Sequence, residues 1–251
     1  LARLRDRAER DARGRFLVEG LRELSRALER KVAVEEVYFC PGLYKDTPAS
    51  AALVARAQAS GVACCELGES AFDKVSGREG PDGLIGVAET WDCSLARLAP
   101  GPNPLLLVVE AVEKPGNLGA LLRTADSAGC DALIVCDPVT DLFNPNVIRA
   151  AQGAAFSVPV AVASSKDTLA WLKAKKVRVL ATTPDGAQPL WDVDAKGPVA
   201  LVMGSEKDGL GRTWLDGADA RVFIPQAGLS DSLNVATAAA ICLFEAVRQR
   251  R

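Results

Sequence analysis

Histidine is absent from all 251 residues, and that absence removes whole classes of chemistry. Without an imidazole there is no Ser-His-Asp or Cys-His activation of a nucleophile and none of the common zinc sites. Proton transfer must then use carboxylates, hydroxyls, lysine, water or the substrate itself. Long apolar runs are missing too, since none approaches the ~20 residues that span a bilayer. The opening "LARLRDRAERDARGRF" lacks the apolar core of a signal peptide, so a cytoplasmic protein with no membrane partner is expected. The seven cysteines (Cys40, Cys64, Cys65, Cys93, Cys130, Cys136 and Cys242) are odd in number and show no Cys-x-x-Cys spacing. Most lie in apolar runs, which predicts reduced, buried thiols packing as small hydrophobes.

The composition, 49% apolar and 25% charged, is that of a globular chain, and its length allows one large domain or two ordinary ones. The formal net charge of −2 is unevenly spread: residues 1–31 hold ten Lys/Arg against six Asp/Glu, net +4, leaving −6 for the remainder. A basic arm of this kind can steer toward phosphates. A solvated amphipathic helix of mixed charge explains the same residues.

Hydrophobic periodicity divides the chain in two. In residues 1–98, "RFLVEG", "VEEVYFC", "VACCEL" and "GLIGVAE" have strand patterns, with helices over "LRELSRALER" and "PASAALVARAQAS". This alternation describes a small α/β domain. The stretch "APGPNP", residues 99–104, suits an interdomain linker or a hard turn. Residues 105–251 then alternate continuously apolar strands ("LLLVVEAV", "ALIVC", "SVPVAVA", "VRVLAT", "PVALVMG", "ARVFIP") with helices from about Leu118, near "NPNVIRAA", over "SKDTLAWLKAKK" and from about Ser232. Strands apolar on both sides predict a parallel sheet covered by helices on both faces.

The turn "EKPGNLGALLRTADSAG" follows the first of these strands and has the outline of a dinucleotide site, with Asp137 about 20 residues on where a ribose-binding acid would stand. Its glycines are too few, however. Only Gly116-x-x-Gly119 is present, and Asn117 occupies the place where backbone must approach a pyrophosphate. What remains is a helix start presenting Asn117, with Arg123 off the apolar stripe of Leu118, Leu121, Leu122 and Ala125. Two further segments end in polar loops: "LVMGSEKDGL", with Gly204, Glu206 and Gly209, and "VFIPQAGLSDSLNVATAAA", where Ser232 or Asn234 can cap the last helix.

Taken together, these segments resemble the SpoU/TrmH family of SPOUT methyltransferases. The family's first motif, N-x-G-A-x-x-R-T-A, stands as Asn117 to Ala125; its G-x-E-x-x-G loop as Gly204 to Gly209; and its I-P…S-L-N-V segment as Ile224-Pro225 and Ser232-Leu233-Asn234-Val235. Departures are Gln226 where Met is usual, and Ala236 and Ala151 where Ser is usual. More weakly, "RFLVEG" and its surroundings resemble the family's L30e-like RNA-binding domain.

The resemblance implies 2′-O-methylation of a ribose in structured RNA with S-adenosyl-L-methionine as donor, rRNA being favoured over tRNA and DNA not expected. It implies a C-terminal trefoil knot and a homodimer formed through the catalytic domain. By the same analogy Asn117, Arg123, Glu206, Ser232 and Asn234 form the catalytic shell, and Thr182, Gly204, Ile224 and Leu233 hold the cofactor. No metal is called for. A non-catalytic RNA-binding member of the same fold is the alternative these residues speak against.

Overall fold

The computed structural model describes residues 1–229 and 232–251. Contacts divide the chain into two compact units, residues 1–91 with 141–157, and residues 92–140 with 158–251.

The first unit begins with α1 (Arg7–Arg13), β1 (Arg15–Glu19), α2 (Leu21–Glu29), β2 (Val34–Phe39), α3 (Thr47–Ala59), β3 (Ala63–Glu66), α4 (Glu69–Val75) and β4 (Leu84–Glu89). Its sheet runs β1-β4-β2-β3. β4 pairs antiparallel with both neighbours, while β2 and β3 are parallel. The strand expected at "VACCEL" forms, yet as an edge strand it leaves Cys65 exposed and Cys64 half-buried. An apolar run at a sheet edge has no neighbour to cover it, so the expectation of buried thiols fails for these two, and Cys93 is likewise only half-buried.

The N-terminal arginines are largely spent on acids. Arg5 pairs with buried Glu19 at 2.6 Å, Arg13 with Glu9 at 2.9 Å, and Arg7 with Asp11 at 3.6 Å. Arg10, almost fully buried, pairs with Asp141 at 2.6 Å and donates to the carbonyls of Leu4 and Arg5. The segment is thus a helix of mixed charge folded onto its own unit.

The second unit follows with β5 (Leu105–Glu110), α5 (Pro115–Ala128), β6 (Ala132–Cys136), α6 (Pro145–Ala151), β7 (Val160–Ala163), α7 (Ser165–Ala174), β8 (Arg178–Thr182), β9 (Gln188–Pro189), β10 (Val199–Met203), α8 (Arg212–Gly217), β11 (Ala220–Phe223) and α9 (Val235–Gln249). The seven strands are all parallel, in the order β7-β6-β5-β10-β8-β11-β9. β5, β6 and β10 are buried along their whole length, as strands covered on both faces must be. On one face Leu106, Val108, Ile134, Ala200 and Val202 pack with Leu172 of α7 and Trp214 of α8. Successive strand residues alternate, so Leu107, Leu133 and Leu201 serve the other face, where α5 and α9 pack together and against β5, β6 and β10.

Residues 141–157, including α6, lie in sequence between β6 and β7 but belong by contact to the first unit. The physical reason is an aromatic cluster. The Phe143 ring lies 5.0 Å from that of Phe16 and 4.7 Å from that of Trp91, and Phe156 joins the same group. The Arg10–Asp141 ion pair adds a polar tie. The Pro-rich stretch 99–104 falls inside the second unit as a hard turn into β5. Leu95 and Leu98 already pack into that unit's core, and Cys93 accepts from Val162 N–H at 2.7 Å.

Around the last turn of α9, Arg250 donates to four backbone carbonyls, those of Asn103, Pro104, Ala195 and Gly197. Glu245 accepts from Arg248 and from Gln249, whose amide also bridges to Val193 and Ala195. The Arg248 hydrogen bonds, then that from Gln249, hold the Glu245 carboxyl at about 2, below its ordinary 4.5. A carboxyl depressed by folding contributes stability above its unfolded pKa and loses it as pH falls through the folded value. Glu245→Gln is therefore expected to lower stability at neutral pH. In urea titrations the gap from wild type should narrow between pH 4.5 and pH 2, and a pH-independent gap would refute this account.

Candidate functional site

The site lies where three chain segments leave the carboxyl ends of neighbouring strands. Met203, the last residue of β10, pairs with Val109 of β5 on one side and Thr182 of β8 on the other. Val222 of β11 pairs with the same Thr182. Four strands thus release their loops side by side, and in open parallel sheets ligands bind beyond such strand ends.

Glu110 ends β5, and Ala111 then takes a left-handed conformation with φ 51°, which disfavours any residue carrying a Cβ. The loop that follows is braced by Thr140, whose hydroxyl donates to the carbonyl of Glu113 at 2.9 Å. α5 starts at Pro115, three residues earlier than expected, because proline at the first helical position has no N–H to leave unpaired and a φ already suited to the helix. Asn117 therefore sits in the first helical turn, not in a loop. Leu118, Leu121, Leu122 and Ala125 are buried as the stripe predicts, and Arg123 is exposed.

The loop after β10 is closed by a short antiparallel bridge, with Ser205 and Gly209 exchanging backbone hydrogen bonds at 3.0 and 3.2 Å. A Cβ on Gly204 would stand 2.2 Å from the carbonyl carbon of Gly209. Only glycine permits this closure, which turns Glu206 outward at the loop tip. The helix expected from Ser232 begins instead at Val235, capped by Asn234, whose Oδ1 accepts from Ala236 N–H at 3.0 Å. Of the two capping candidates Asn234 takes the role, and Ser232 lies on the exposed loop two residues ahead of it. Ser230 and Asp231, part of the loop read between Pro225 and Ser232, lie outside the described residues.

Side chains from all three motifs meet. Asn117 Nδ2 donates to Glu206 Oε1, and Asn234 Nδ2 donates to Asn117 Oδ1 at 3.2 Å. The amide of Asn117 is thereby held at both ends, although its partners are 89 and 117 residues away in sequence. Among the described residues no hydrogen bond or ion pair joins Arg123 to this trio. It stands about two turns along α5 with its guanidinium toward solvent. Thr182, Gly204, Ile224 and Leu233 are each half-buried and lie in or next to the loops after β8, β10 and β11. One hydroxyl, two aliphatic side chains and close-packed loop backbone suit a cofactor with an apolar base and a polar sugar. Among the described residues no three His, Cys, Asp or Glu side chains gather as a metal site.

One acidic residue of this region escaped the sequence reading. Glu110 is buried at the end of β5, accepting from Ser165 Oγ at 2.9 Å and from Gly211 N–H at 2.6 Å. Its only signal was an acid inside the apolar run "LLLVVEAV".

The SpoU rRNA Methylase family model matches residues 104–244, and the MRM3-like substrate binding domain matches residues 1–86. The chain belongs to the SpoU rRNA methylase family. It is 40% identical over 199 residues to the 23S rRNA (guanosine-2′-O-)-methyltransferase RlmB of Ralstonia nicotianae, covering 77% of this chain and 80% of that protein. It is 32% identical over 242 residues to the 23S rRNA (guanosine(2553)-2′-O)-methyltransferase RlmP of Bacillus subtilis, covering 96% and 92%. Among solved structures, the AdoMet-bound rRNA methyltransferase from Sinorhizobium meliloti is similar with a TM-score of 0.88 at 32% identity, covering 98% of this chain and 92% of that one.

Asn234 serves both as helix cap and as the support of Asn117. Asn234→Ala is expected to cost about 1 kcal/mol of stability from the cap alone, read by thermal or urea unfolding. Asn234→Asp should restore most of that loss, because aspartate caps equally well, without restoring the amide donor to Asn117. Equal stability of the alanine variant and wild type would contradict the assignment of the cap.

Proposed function

We propose that the protein transfers a methyl group from S-adenosylmethionine to the 2′-hydroxyl of a ribose in 23S rRNA. The observation that carries this reading is the hydrogen-bonded trio Asn234–Asn117–Glu206. It unites the three motif segments at the strand ends where Thr182, Gly204, Ile224 and Leu233 would hold the donor. The relatives named above act on 23S rRNA, and the Sinorhizobium meliloti structure binds AdoMet.

When bound, S-adenosylmethionine supplies an electrophilic sulfonium methyl. The task left to the protein is alignment, since methyl transfer needs the ribose oxygen in line with the sulfur–methyl bond. Asn117, fixed at both ends of its amide, presents a rigid edge to the ribose, with Ser232 completing the polar shell. Arg123 binds a phosphate of the RNA and stabilises the negative charge that develops on the 2′-oxygen. An arginine guanidinium stays protonated in proteins, so the hydroxyl proton passes to phosphate or water. A 2′-hydroxyl also separates RNA from DNA as substrate.

The first unit, residues 1–91 with 141–157, is an L30e-like domain that binds the RNA, a reading supported by the substrate-binding model matched at residues 1–86. The segment after β11 threads through an earlier loop as a trefoil knot. This is supported by β10 slotting between β5 and β8 while α9 returns to pack on α5. The active form is a homodimer through residues 105–251. Phe244 on α9 and Trp191, about half exposed, and an Arg123 that stands apart from the trio support this reading. A cytoplasmic setting agrees with the buried free thiols of Cys40, Cys130, Cys136 and Cys242.

Methyl incorporation from tritiated donor into 23S rRNA tests the function. Arg123→Ala is expected to lower the rate by about 10²–10³-fold while leaving donor binding unchanged. Full activity in that variant would overturn the role given to Arg123.

A further inference from the structure

The motifs leave one buried acid of the second unit without a part. Glu110 is 9% exposed and spends its two carboxylate oxygens on different elements. Oε2 accepts from Gly211 N–H at 2.6 Å, and Oε1 accepts from Ser165 Oγ at 2.9 Å. Ser165 Oγ in turn accepts from the fully buried Trp214 Nε1 at 3.0 Å. A buried carboxylate is costly unless every bond it can make is made, and here both oxygens have donors.

The position of these partners is informative. Gly211 is the residue where the Gly204–Leu210 loop enters α8, five residues after Glu206. The same loop is pinched at its base by the Ser205–Gly209 bridge. That bridge fixes the shape of the loop tip, while the bond from Gly211 fixes where the loop sits against the end of β5. Glu110 is also the last residue before the left-handed Ala111 and the turn that delivers Asn117. One carboxylate therefore ties together the two segments whose side chains, Asn117 and Glu206, meet in the site.

We infer that Glu110 is a positioning residue for the donor site: its bond to Gly211 holds the Gly204–Leu210 loop in the place that S-adenosylmethionine requires. Its bond to Ser165 serves a different end, anchoring α7 and Trp214 in the core. The inference rests on the reading of that loop as part of the donor site.

The two arms can be separated by experiment, using donor affinity measured calorimetrically on the full chain beside thermal stability. Glu110→Ala removes both arms and is expected to weaken S-adenosylmethionine binding by roughly tenfold or more, the loss of one charge-assisted hydrogen bond. Glu110→Gln keeps an acceptor for Gly211 and should bind the donor nearly as wild type does. Ser165→Ala removes only the core arm, so it should melt earlier yet bind the donor normally. If Glu110→Ala does not fold, Glu110→Ser, which leaves a polar group and room for water, carries the same expectation. Unchanged affinity in the alanine or serine variant would overturn the inference. So would a Ser165→Ala variant as weak as Glu110→Ala, because the effect would then be general loosening. Failure of the wild-type protein itself to bind S-adenosylmethionine would instead overturn the reading of the donor site.

Discussion

The site depends on one insertion in the sheet. β10 comes late in the chain yet occupies the place between β5 and β8, hydrogen-bonded to both in parallel register. Parallel pairing aligns strand ends as well as strand directions, so Val109, Met203 and Thr182 finish level with one another. Had β10 joined the edge of the sheet, the Gly204–Leu210 loop would emerge away from α5, and Glu206 could not reach Asn117. The polar trio is therefore a product of strand order, and the strand order is held by an all-apolar core. Leu106, Val108, Ala200 and Val202 pack against Leu172 and Trp214, at roughly 25 cal/mol for each Å² withdrawn from water.

Much of this was legible in residues alone, and the gaps have physical causes. Strands buried on both faces have no alternation to misread, so the runs "LLLVVE", "ALIVC" and "VALVM" announce themselves. Short elements such as β9 and α8 carry too few residues for any periodicity. "VACCEL" forms its strand, but a sequence does not say whether a strand is central or at an edge, and Cys65 is exposed for that reason. Helix starts were misplaced by a few residues in opposite directions. Proline drew α5 forward to Pro115, while Asn234 took the capping role that Ser232 could equally have filled. Residues 141–157 sit between two strands of the second unit, and nothing local reveals that Phe143 and Asp141 find their partners in Phe16, Trp91 and Arg10.

Site residues show the same division. Asn117, Glu206 and Asn234 could be grouped because each stands in a motif. Their contact could not be derived, since the partners lie about a hundred residues apart. Glu110 stands in no motif, and its partners Ser165 and Gly211 are 55 and 101 residues away. The charged N-terminal segment was ambiguous for another reason. Composition counts arginines, but only geometry shows that Arg5, Arg10 and Arg13 already face carboxylates.

α9 closes the second unit from both of its ends. Asn234 reaches the loops beyond the strands, while Arg250, one residue past the helix, gathers the carbonyls of Asn103, Pro104 and Gly197 just ahead of β5 and β10. A ribosome delivers this helix after every strand it fastens. A nascent chain can therefore pair β5 with β6, and later admit β10, while the Asn117 amide still lacks its second partner. The trio closes only once α9 is made, so a chain cut short before it would carry the full sheet and an Asn117 amide held at one end.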